Sequence, residues 1–121
     1  MTSMHLAAAG AAALIVAATG ACNPERKQEC ERFSAAMRPL EQGTPSADLV
    51  DGVRAQVERL NLEDQTLTIY AKNYVQTLTV LASTLRLKSD PDAPDGTDDV
   101  IKTRLQSART DADDLAHYCA Q

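Results

Sequence analysis

The apolar positions of this chain recur in steps of three and four over most of its length. The first series is Cys30, Phe33, Met37 and Leu40. The second is Val50, Val53, Val57 and Leu60, and it continues in the same register through Asp64 to Leu67, Ala71, Tyr74, Leu78, Leu81 and Leu85. The third is Ile101, Leu105, Ala108, Ala112, Leu115 and Cys119. This is the period of an amphipathic helix, and the regular heptad steps are those of helices packed as a bundle. No stretch alternates with the period of two that a strand requires. The threonines Thr66, Thr68, Thr77 and Thr79 sit within a helical apolar period.

Punctuation divides the pattern. Pro24 suits the first turn of a helix. The stretch EQGTPS at 41–46 reads as a loop, with Gly43 just past a helix end, and DPDAPDGT at 90–97 reads as another. The second series admits two readings. It is one long bent helix over 47–88, or two helices broken near Leu60-Asn61. Asn61 can cap a new helix with Asp64 as its reciprocal partner. A run of some 40 residues exceeds the usual helix length in a small domain, so the break is favoured. The expected fold is all-α: a small antiparallel three- or four-helix bundle over 22–121. Its helices are expected at about 24–41, 47–60, 62–88 and 97–119, the middle two fused in the long-helix alternative.

The first 21 residues stand apart. They contain no Asp, Glu, Lys or Arg, so all 12 basic and 17 acidic side chains of the 121-residue chain lie after Ala21. The apolar run from Leu6 to Ala21 covers about 16 residues, short of the roughly 20 that span a bilayer as a helix. It has the length of the apolar region of an export signal, although the leading MTSMH carries no Lys or Arg. The segment ends Thr19-Gly20-Ala21-Cys22. Small residues let an extended backbone enter a peptidase cleft, and the thiol that follows can accept a lipid.

That ending resembles the lipobox of bacterial lipoproteins, with Thr19 where the motif usually has Leu. The resemblance implies a signal peptide over 1–21, cleavage before Cys22, and diacylglycerol on the Cys22 thiol. Three other readings of the segment stand beside it: an ordinary signal cut after Ala21, an uncleaved short anchor, and an Ala-rich cytosolic helix. More broadly, the chain resembles small helical, disulfide-bearing lipoproteins of high-GC Gram-negative bacteria. The marks are Cys22, Cys30, the Leu62-x-Asp64-x-x-Leu67 helix start with Tyr74 after it, and Cys119.

Cysteine parity agrees with lipidation. Three cysteines are an odd number for an exported protein. With lipid on Cys22, Cys30 and Cys119 remain to pair. At 1.5 Å per helical residue both fall level with residues 59–65, and each lies on an inward seam, in either version of the bundle. A Cys30–Cys119 disulfide is therefore expected.

The net charge of −5 argues against nucleic acid and against electrostatic docking to anionic lipid. The aromatic residues are Phe33, Tyr70, Tyr74 and Tyr118, too few for a stacking surface. The acidic loop Asp90, Asp92, Asp95, Asp98, Asp99 does not follow calcium-loop register, because Pro94 and Ile101 occupy ligand positions. It reads as a solvated loop in which Thr97 or Asp95 caps the last helix. Met37 and His117 lie at different levels of the expected bundle, which argues against haem. His117 is the single histidine after Ala21, and no nucleophile-elbow pattern is present. Tyr70 is placed at a bundle edge.

The function expected is thus non-catalytic: a lipid-anchored envelope protein that binds or scaffolds, with no cofactor. It would be held to the membrane through Cys22, face the periplasm, and work with an envelope partner. The residue after Cys22 is Asn23, not the Asp that retains many lipoproteins at the inner membrane, so the outer membrane is favoured. The alternative is a helical bundle that binds a small ligand or a metal.

Overall fold

Each loop predicted from Pro and Gly separates two helices. The computed structural model describes residues 23–121. The predicted signal segment and Cys22 lie outside the described residues. Within them the chain forms α1 (Pro24–Met37), a 3₁₀ turn (Arg38–Leu40), α2 (Ala47–Glu58), α3 (Gln65–Lys88) and α4 (Thr97–Ala120). No strand occurs among the described residues. The fold is an antiparallel helical bundle, with the α3–α4 hairpin as its longest unit. Helix α2 packs along α3, and α1 packs against α4 and α2.

The predicted seams are the core. Phe33, Val50, Leu67, Leu78, Leu81 and Leu115 are fully enclosed. The other seam residues are buried or packed half-buried against them. Phe33 meets Tyr74 edge-on, with ring centroids 6.1 Å apart, a favoured aromatic geometry.

Several boundaries differ from the sequence reading. α1 ends at Met37 and tightens into the 3₁₀ turn, because Pro39 has no N–H to donate back along an α-helix. The α2–α3 region is two helices, so the single bent helix is set aside. The break falls where expected, but the caps do not. Asn61 adopts a left-handed conformation (φ 52°) in the linker and does not cap α3. Asp64 is the N-cap, its carboxylate accepting from the Leu67 N–H at 2.9 Å. α3 therefore begins at Gln65, not at Leu62.

At α4 neither Thr97 nor Asp95 caps the helix. Gly96 holds the N-cap position at φ 88°, a left-handed conformation that favours glycine. The Thr97 hydroxyl donates instead to the Pro94 carbonyl at 2.6 Å. Asp98 and Asp99 occupy the first turn, where the helix dipole favours negative charge.

Candidate functional site

Three chain segments converge at one end of the bundle: the start of α1, the α2–α3 linker, and the end of α4. Cys30 and Cys119 are joined there by a disulfide, with Cα atoms 6.0 Å apart. Cys30 is buried and Cys119 half-buried. The predicted level of the two cysteines is also observed. Arg32, two residues on from Cys30, donates to the Leu60 carbonyl at 3.0 Å. Tyr118, beside Cys119, donates to Asp64.

The linker between α2 and α3 is held by a buried acid. Glu29 is 5% exposed. One of its carboxylate oxygens accepts from the backbone N–H groups of Glu63 and Asp64, at 3.0 and 3.1 Å. Hydrogen bonds from two donors compensate the burial of a charged group. Asp64 takes the next place in the chain of bonds. It caps α3 through Leu67 and accepts the Tyr118 hydroxyl at 3.0 Å. The Tyr118 ring lies 5.8 Å from that of Tyr70. The Arg26 guanidinium covers the same ring at 5.1 Å and donates to the Gln121 carbonyl. Thus α1, α3 and α4 are tied together near the start of α1.

Sequence reasoning placed Cys30 and Cys119, but it set the start of α3 too early, at Asn61-Leu62, and missed Glu29 and Tyr118. A signal for Glu29 existed. It sits four residues before Phe33, on the apolar stripe of α1, where an acid needs a buried partner. No comparable signal marked Tyr118, whose role depends on where α4 meets the linker.

Of the remaining candidates, Tyr70 alone touches this network, through Tyr118. His117 is exposed, its Nδ1 2.9 Å from the Asp113 carbonyl oxygen. Met37 is buried in the core. Among the described residues, no group of three or more His, Cys, Asp or Glu side chains is placed to hold a metal, the aspartates of the 89–96 turn included. Tyr70 is half-buried at the bundle edge, against Tyr118. The threonine hydroxyls of α3 serve the helix itself. Thr77, Thr79 and Thr84 donate to carbonyls one turn back, a usual resting place for this side chain. Thr77 also lies 3.1 Å from Asp111 on α4. Burial raises the Asp111 carboxyl above its ordinary range, the Thr77 bond opposes this, and the nearby Asp114 adds to it.

A groove of about 490 Å³ runs between α1 and α4, past Met37, Tyr74, Ala108 and Ala112. A second, of about 400 Å³, lies between the end of α2 and α3, past Val57, Leu62, Ala71 and Val75.

No protein-family model matches the chain, and no curated protein or solved structure compared with it is similar to it. No helix among the described residues is long and apolar enough to cross a membrane.

Proposed function

We propose that this protein is a lipid-anchored envelope protein with a non-catalytic binding or scaffolding role. The observation that carries the reading is the pairing of Cys30 with Cys119. A stable disulfide belongs to an oxidising compartment. It also commits two of the three cysteines and leaves Cys22, at the end of the lipobox-like stretch, for modification. A diacylglyceryl group supplies two acyl chains, the number that gives lasting membrane attachment. The mature chain would then begin at Cys22, two residues ahead of α1, so the stapled end of the bundle lies beside the anchor. It would face the periplasm, on the outer membrane.

The supporting chemistry is that of a holder. Polar groups at the anchored end are turned inward onto one another, and their bonds fix helices rather than present reactive atoms. The test is fractionation of cells that express the protein. The native chain should sediment with membranes and leave them only in detergent. The Cys22→Ser variant should be absent from the membrane fraction or retained as uncleaved precursor. Equal, detergent-independent solubility of both would refute the anchor. Detergent-solubilised membranes should also yield one reproducible partner by affinity capture; an empty capture would count against a scaffolding role.

A further inference from the structure

One polar group in the core has no hydrogen-bond partner among the described residues. Tyr74 is 2% exposed. Its hydroxyl makes no hydrogen bond within the described residues, whereas the hydroxyl of Tyr118 does. No side-chain nitrogen or oxygen among the described residues is both sealed from solvent and unpartnered. The Tyr74 hydroxyl must therefore keep an opening, and Tyr74 lines the α1/α4 groove. A phenol buried along its ring, with no hydrogen-bond partner for its oxygen among the described residues, is a polar handle in a groove of mixed apolar and charged lining.

The charge around that handle is negative. Glu41 and Asp113 are among the groove's lining residues. Burial raises the phenol's pKa far above its ordinary value, and the nearby carboxylates of Asp111 and Glu41 raise it further. The cation in the lining is Arg109, and its guanidinium is already bound to the carbonyls of Leu40 and Gly43 at 3.3 and 2.6 Å. Met37, Ala108 and Ala112 supply apolar surface. A volume of about 490 Å³ falls in the range of small-molecule sites.

We propose that the α1/α4 groove binds a protonated primary alkylamine. The ammonium sits among Glu41, Asp113 and the Tyr74 hydroxyl, donating to the phenol oxygen, and the alkyl chain lies on Met37, Ala108 and Ala112. An ammonium has three donors and no acceptor, so two carboxylates and one hydroxyl oxygen satisfy it. A carboxylate ligand would meet like charge. This gives the binding role proposed above a ligand class and rests on that role alone, so it can fail while the lipid anchor stands.

The experiment is a calorimetric titration of the purified protein with hexylamine, and in parallel with hexanol and hexanoate. Hexylamine should bind saturably and more tightly than hexanol, and hexanoate should not bind. Tyr74→Phe should weaken hexylamine about tenfold, the loss expected for a hydrogen bond to a charged group. The melting temperature of that variant without amine should be unchanged or higher, because no intramolecular bond is removed. Glu41→Gln with Asp113→Asn should weaken the amine and leave hexanol unaffected. Absence of saturable hexylamine binding, equal affinity in Tyr74→Phe, or tighter binding of hexanoate would overturn the proposal.

Discussion

The two ends of this bundle hold their charges in opposite ways. At the end where α1 starts, Glu29 is buried on two backbone N–H groups, Asp64 caps α3 and receives Tyr118, and a disulfide joins α1 to α4. At the other end, the ion pairs are exposed. Arg86 of α3 pairs with Asp48 and Asp51 of α2, and Lys88 pairs with Asp98 across the α3–α4 turn. Five of the chain's 17 acidic side chains lie in and beside that turn. A buried carboxylate that satisfies linker N–H groups cannot be removed without orphaning them, whereas an exposed pair can be replaced by water. The same residue types thus act as structure at one end and as solvated surface at the other.

The largest expected effect is at the stapled end. The disulfide spans 89 positions. Replacing both cysteines with serine should lower stability by about 4 kcal/mol on the chain-entropy account, read by urea unfolding. A loss under about 1 kcal/mol would show that noncovalent bonds alone hold this end. Next comes Glu29→Ala. It strands the N–H groups of Glu63 and Asp64 and should cost roughly 2–3 kcal/mol, with hydrogen exchange quickening first at 60–67. Uniform quickening across the bundle would mean that the linker is not a separate unit.

The smallest effect belongs to the exposed end. Arg86→Ala should destabilise less than either change above, and its effect should shrink further in high salt. Its acid dependence has a definite sign. The hydrogen bond from Arg86, aided by charge from Arg86 and Arg54 and only partly opposed by burial, holds the Asp51 carboxyl below its ordinary value of 3.8. The contribution is therefore fully present above that value and is lost as pH falls through the lowered folded value. A variant whose deficit persists in acid would show that Arg86 acts by packing.

The bundle was legible because its seams are built from one kind of information, the spacing of apolar side chains. Cys30, Phe33, Leu78 and Leu115 all lie where the period placed them. The disulfide was legible for the same reason, since helix length and seam position together put Cys30 level with Cys119. What escaped the sequence was the identity of the polar partners. Asn61 and Asp64 are both good caps, and the choice depends on Glu29, which holds the N–H groups of Glu63 and Asp64 from a different helix. Gly96 replaced Thr97 and Asp95 at α4 because a left-handed turn positions the helix start. The open hydroxyl of Tyr74 was likewise hidden, because a seam position predicts burial of the ring and says nothing of the oxygen. Local preference settles which residues are suited to a role, and tertiary placement settles which one fills it.

The central claim is a lipid on Cys22 with Cys30 and Cys119 joined, and intact mass of the protein extracted from cells tests it most directly. The account predicts a chain of residues 22–121 carrying a diacyl or triacyl addition, gaining about two mass units when one disulfide is reduced to thiols. A bare 22–121 chain, or one that retains residues 1–21 without lipid, would contradict it.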